Sequence, residues 1–137
     1  MASRETQETN YCLITPAYNE EANLPRLFES IDAQTIRPVL WVIVNDGSRD
    51  RTKQIIEELV SRTTYIRPVH LTRNEATTYY SRKIHAFNEG YNVLRNAGPD
   101  YSFLGNLDAD MSMSPDYYES ILHEFTRNVR LGIAGGA

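Results

Sequence analysis

The run Val39-Leu40-Trp41-Val42-Ile43-Val44 constrains the fold of this chain more than any other feature. Six consecutive apolar residues, four of them β-branched, leave no polar position for a wet face, so the run reads as a central strand buried on both sides. It closes on Asn45-Asp46-Gly47-Ser48, a combination that turns the chain. Three further apolar runs recur: Tyr11 to Thr15, broken by Pro16, a weaker one over about Ile66 to Leu71, and Tyr101 to Leu107. Segments of helical period separate them. Asn23 caps the first, with Pro25 in its opening turn and Leu24, Leu27, Phe28 and Ile31 on one face. Ser48 or Asp50 caps a second, carrying Ile55, Ile56, Leu59 and Val60. Beyond a polar loop over Thr72 to Thr78, Ile84, Phe87, Tyr91 and Leu94 mark a third helix, stopped at Gly98-Pro99 and weakened by Gly90. Ser114 as cap and Pro115 at the first helical position open a fourth, with Tyr118, Ile121, Leu122 and Phe125 as its core face. Leu131 to Ala137 reads as a strand cut off as it begins. Strands alternating with helices predict an α/β domain with a mostly parallel sheet.

At 137 residues the chain is the size of one domain. Residues 1–10 are polar and read as a disordered arm, leaving 11–137 as the folded part. The net charge of -4 offers no basic stripe, which argues against a nucleic-acid partner. Cys12, the single cysteine, cannot pair within the chain, and neither a secretory signal nor a membrane-length apolar stretch is present. These features predict a cytoplasmic setting, at the membrane face if a longer parent carries membrane segments.

Ligands of open α/β sheets bind outside the carboxyl ends of the strands. Three polar loops fall there: Tyr18-Asn19-Glu20 after the first strand, Asp46 after the second, and Asp108-Ala109-Asp110 after the last. Two carboxylates at i and i+2 of extended chain point to one side, so Asp108 and Asp110 can share a hard cation while Ala109 faces away. Taken alone, such a pair is a solvated turn more often than a metal site. Tyr18 offers a flat face for a base, and the carboxylates of Glu20 and Asp46 accept hydrogen bonds from an imide or sugar hydroxyls. A loop aromatic closing the core, a solvated charge and a turn would be their plain structural roles. Lys83, beside Arg82, brings positive charge to the start of the third helix, where a diphosphate also meets the helix dipole; a solvated helix face is the alternative. His70, His85 and His123 lack the spacing of a transition-metal site and need no more than core or surface roles.

In order, Thr15-Pro16-Ala17-Tyr18-Asn19-Glu20-Glu21, Val44-Asn45-Asp46-Gly47-Ser48-Arg49-Asp50 and Leu107-Asp108-Ala109-Asp110 resemble the family 2 inverting glycosyltransferases. Lys83-Ile84-His85-Ala86-Phe87-Asn88 is similar to a helix segment of its processive members, although Thr77 to Tyr80 stand where that family often has small residues and glycine. The resemblance covers residues 11–137. It implies a GT-A, Rossmann-like fold with helices on both faces of the sheet, in which Pro16, Ala17 and Tyr18 line the nucleoside pocket, Glu20 lies near the ribose and Asp46 bonds the base. It further implies Asp110 as the direct ligand of Mg²⁺ or Mn²⁺, with Asp108 meeting the ribose or supporting the metal. The donor would be a UDP- or GDP-linked sugar and the acceptor a hydroxyl of a saccharide, lipid or protein. A general base is not found in these residues; by the same resemblance it is expected beyond Ala137, together with the acceptor region. The chain is then expected to be the amino-terminal donor half of such an enzyme, inactive by itself, with a sheet edge able to drive self-association. A sugar nucleotidyltransferase is the runner-up, but the glycine-rich basic loop it needs after the first strand is missing. A non-catalytic nucleotide-sugar-binding module is the other alternative.

Overall fold

A computed structural model describes residues 10–73, 78–128 and 130–135. Four strands, β1 (Tyr11–Ala17), β2 (Leu40–Asp46), β3 (Ile66–Leu71) and β4 (Phe103–Asn106), alternate with four helices, α1 (Leu24–Asp32), α2 (Thr52–Arg62), α3 (Tyr79–Ala97) and α4 (Tyr117–Arg127). The sheet runs β3-β2-β1-β4 and every pairing in it is parallel. The apolar run from Val39 to Val44 forms most of β2, which lies inside the sheet with all seven of its residues buried.

The period of two along each strand sorts the core into two layers. Tyr11, Leu13, Trp41 and Ile43 face one side, where α1, α2 and α4 contribute Leu24, Leu27, Phe28, Ile31, Ile56, Leu59, Tyr118 and Leu122. Cys12, Ile14, Val42 and Val44 face the other, which α3 covers with Ala86 and Leu94. The fully buried Trp41 ring donates its N–H to Thr15 Oγ1 at 2.9 Å, so this large side chain adds apolar burial with its polar atom satisfied.

Several boundaries depart from expectation for identifiable reasons. β1 continues through Pro16 to Ala17. The Ile14 carbonyl accepts from Leu107 N–H on the β4 side. By alternation Pro16 turns the same way, past the last β4 pairing at Asn106, so its missing N–H leaves no ladder bond unmade. On α3 the packed stripe is Ala86, Gly90 and Leu94, while Ile84 is 62% and Tyr91 37% exposed. A Cβ on Gly90 would stand 2.8 Å from methyls of both Ile14 and Val44. Leu94 and Phe87 pack on this layer as expected, but where the helix lies closest to the sheet small residues, Ala86 and Gly90, form its inner face. α4 begins at Tyr117, after a turn in which Ser114 Oγ and Asp116 Oδ1 are 2.9 Å apart, rather than at Pro115. β4 is limited to Phe103–Asn106, and residues 131–135 form no strand. Asn10 is not part of an arm: its carbonyl accepts from Ser102 and Phe103 N–H. The rest of the expected arm, residues 74–77 of the expected loop, and Gly136 and Ala137 lie outside the described residues.

Candidate functional site

Because all four strands run the same way, the loops after β1, β2, β3 and β4 gather at one edge, on the α3 side of the sheet. There they frame a cleft of about 430 Å³ lined by Pro16, Ala17, Tyr18, Glu20, Asp46, Arg73, Tyr79, Arg82, Lys83, Ala86, Asp108, Ala109 and Asp110. Pro16, Ala17, Tyr18, Glu20, Asp46, Lys83, Asp108 and Asp110, all expected at this edge, line that cleft, while Asn19 stands outside it and ties the loops together.

The loop after β1 is fastened to the loop after β2. Asn19, left-handed at φ 53°, donates its N–H to Ser48 Oγ at 2.9 Å, and its own Oδ1 accepts from Arg49 N–H at 2.9 Å. Glu20 N–H donates to Thr52 Oγ1 at 2.8 Å and Glu21 N–H to Asp50 Oδ2 at 3.2 Å. Partial burial pushes the Asp50 carboxyl up, but hydrogen bonds from the Thr52 hydroxyl and N–H and from Glu21 N–H outweigh it and hold that carboxyl below its usual range. Glu20 itself accepts from Asn23 Nδ2 at 2.8 Å. The αL conformation suits asparagine, whose short side chain bonds locally, and here it aims both Asn19 bonds at the second loop.

Asp46 is buried at the end of β2, and Arg73 reaches over it, Nη1 to Oδ2 at 3.5 Å with both side chains about nine-tenths covered. The same guanidinium lies 3.4 Å from the centre of the Tyr18 ring, so one face of the ring expected to receive a base is occupied by a cation. Gly47, at φ 67°, permits this: a Cβ there would fall 2.6 Å from Arg73 Cβ and 2.7 Å from its backbone nitrogen. Of the lining residues, Arg73 lies in the stretch that the sequence marks only as a polar loop and Tyr79 at the start of α3, whereas Arg82 is the positive charge expected beside Lys83. The carboxyl-edge rule applied to β3 would have found Arg73.

Past β4 the chain turns at residues 109–110, with Met111 N–H donating to the Asp108 carbonyl at 3.4 Å, instead of staying extended as expected for the aspartate pair. Ala109 is buried in the layer with α1 and α4, whereas Asp108 and Asp110 are exposed on the α3 side. Lys83, in the second turn of α3, crosses the cleft to Asp108, Nζ to Oδ1 at 3.0 Å. That hydrogen bond holds the Lys83 ammonium above its usual range. Behind the aspartates, buried Gln34 at the end of α1 donates to the Ser114 carbonyl at 2.8 Å and accepts from Tyr118 N–H at 3.1 Å, fixing the segment that carries Asp108 and Asp110 to α1. Among the described residues no His, Cys, Asp or Glu forms a group of three that could enclose a metal ion.

A parallel α/β sheet with cations and carboxylates ringing a cleft at its carboxyl edge defines the class of open α/β domains whose ligands bind beyond the strand ends. Within that class the sequence profile described as "Glycosyl transferase family 2" matches residues 12–136, and the chain belongs to this family. It is 28% identical over 113 residues to "Putative glycosyltransferase EpsH" of Bacillus subtilis, covering 80% of this chain and 28% of that protein. With the "Chondroitin synthase" of Pasteurella multocida it shares 29% identity over 116 residues, 85% of this chain and 11% of the relative. Among solved structures, S. aureus TarS 1-349 in complex with UDP superposes with a TM-score of 0.67 at 20% identity over 86% of this chain and 32% of TarS. The mannosyltransferase PcManGT from Pyrobaculum calidifontis in complex with GDP-Man and Mn2+ gives 0.63 at 20%, over 82% of this chain and 31% of that one. These likenesses establish the GT-A fold. The chain thus spans about a third or less of the length of these proteins. Among the described residues no helix is long and apolar enough to cross a membrane.

Proposed function

We propose that residues 11–137 are the donor-binding part of an inverting glycosyltransferase, taking a UDP- or GDP-linked sugar for transfer to an acceptor hydroxyl. The observation that carries this reading is the convergence of Tyr18, Asp46, Arg73, Lys83, Asp108 and Asp110 on one cleft in a family 2 chain. Pro16, Ala17 and Tyr18 form the nucleoside wall, with Glu20 beside the ribose. Asp46 reads the base, together with the Arg73 guanidinium that covers it. Lys83 stands where it can exchange the Asp108 carboxylate for a diphosphate oxygen. The bonds between the first two loops keep these groups in place, so little reorganisation accompanies binding.

The donor set fits a divalent cation. Asp110 and Asp108 are hard oxygen ligands on one cleft, and with no third acidic group among the described residues closing round them, positions remain for phosphate oxygens and water, as Mg²⁺ or Mn²⁺ requires. Asp110 would hold the ion directly and Asp108 would support it or meet the ribose. When bound, the cation supplies neutralisation of the charge that builds on the departing diphosphate. The base that deprotonates the acceptor belongs, in this reading, to sequence beyond Ala137.

Calorimetric titration of the chain with UDP and GDP, with and without Mn²⁺, tests the proposal. Nucleotide binding that requires the metal is expected, with Asp110→Asn weakening it by roughly tenfold or more, the scale of one lost contact to a charged group. Binding indifferent to both metal and Asp110 would overturn the assignment.

A further inference from the structure

Asp46 is reached from the α3 side of the sheet, but its neighbour Asn45 points the opposite way, toward α2, and is only 4% exposed. There Asn45 Nδ2 lies 3.2 Å from Nδ1 of His70 on β3, and His70 Nε2 lies 2.7 Å from Glu57 Oε1 on α2. The other end of the Asn45 amide, Oδ1, accepts from Ser48 N–H at 3.0 Å. Ser48 Oγ in turn holds Asn19 N–H.

The chemistry of this chain of contacts fixes its polarity. A backbone N–H only donates, so the Asn45 atom facing Ser48 is its oxygen and the atom facing His70 is its NH₂ group. His70 Nδ1 must then be the bare nitrogen, and Nε2 carries the hydrogen that goes to Glu57. A side chain that offers no acceptor at position 70 leaves a buried amide donor unpaired, and a flip of Asn45 to repair that would set NH₂ against the Ser48 N–H.

We infer that His70 is a positioning residue for nucleotide binding. Held in one tautomer by Glu57, it orients Asn45, which fastens the Asp46-Gly47-Ser48 turn and, through Ser48, the Tyr18-Asn19-Glu20 loop from behind the sheet. The inference rests on the donor-site reading for its affinity consequence, but not for the tether itself. The operative feature is acceptance at Nδ1, since a hydrogen there would face the Asn45 NH₂ group.

Two substitutions separate the tether from general packing. His70→Leu keeps bulk and removes the acceptor, whereas His70→Asn keeps an acceptor atom where Nδ1 stands. Titrated with UDP and GDP in the presence of Mn²⁺, the leucine variant is expected to bind roughly tenfold more weakly and the asparagine variant within about twofold of the parent, the scale of one buried hydrogen bond. Hydrogen exchange at the Ser48 amide, measured without nucleotide, is expected to lose protection in the leucine variant and keep it in the asparagine variant. Unchanged exchange in His70→Leu, or equal losses of affinity in both variants, overturns the inference. Failure of the parent chain to bind either nucleotide, with the exchange pattern as expected, overturns the donor-site reading instead.

Discussion

Arg73 spans the two contacts expected of a base reader, since its guanidinium lies against the Tyr18 ring and over the Asp46 carboxylate. What lets it sit there is the absence of a side chain at position 47. Gly47→Ala would place a methyl against the Arg73 backbone and force an L-residue to φ 67°. Urea denaturation is expected to show a loss of about 1–3 kcal/mol for the combined strain and overlap, and nucleotide affinity should fall with it. A variant as stable as the parent would show that Arg73 is not held by this close approach. Individual roles were unevenly legible in the sequence. Tyr18, Asp46, Asp108 and Asp110 stood out because polar residues closing apolar runs declare themselves. Arg73 and His70 did not: Arg73 is marked only by its place past the carboxyl end of β3, its partner Asp46 lying 27 residues away, and for His70, whose partner Asn45 lies 25 residues away across the sheet, nothing local marks the role.

At the scale of elements, type and order followed from periodicity, and β3 falls on the residues expected for it. Boundaries and faces were harder to read where a neighbour decides the outcome. Pro16 ends a strand only if its missing N–H is needed, and here β4 has already stopped. On α3, Leu94 and Phe87 pack as the period predicts, but Ile84 and Tyr91 are exposed, because close approach to the sheet selects Ala86 and Gly90 for the inner face. That distinction is testable. Alanine at an exposed helix interior would exceed glycine in stability by about 1 kcal/mol, yet at position 90 its methyl meets Ile14 and Val44 at 2.8 Å. Gly90→Ala is therefore expected to lower stability by about 1–3 kcal/mol and, by lifting α3, to lengthen the reach of Lys83 to Asp108. Thermal unfolding with a higher midpoint than the parent would show that the helix has room to move.

For the molecule as a whole, buried acids of high pKa predict the response to alkali. Burial pushes the Cys12 thiol from its ordinary 9.0 up to about 11, and burial likewise pushes Tyr11, Tyr65 and Tyr118 upward. Above about pH 9 the unfolded chain releases protons that the folded chain retains, so the folded state binds more protons and stability falls as pH rises. Denaturant midpoints are expected to decline steadily from about pH 9 to 11, with the early part of the decline smaller in Cys12→Ala than in the parent chain. A flat profile would mean these groups ionise freely in the folded state.

Cys12 lies in the core layer that, among the described helices, α3 covers, and the same helix carries Lys83 into the cleft. The thiol is consequently a clock for the departure of that helix from the sheet. A thiol-specific reagent should label it only as fast as α3 opens, and a nucleotide that engages Lys83 should slow the labelling in proportion to its occupancy. The rate of a single alkylation then measures ligand binding at the opposite end of the helix, with no probe placed in the cleft.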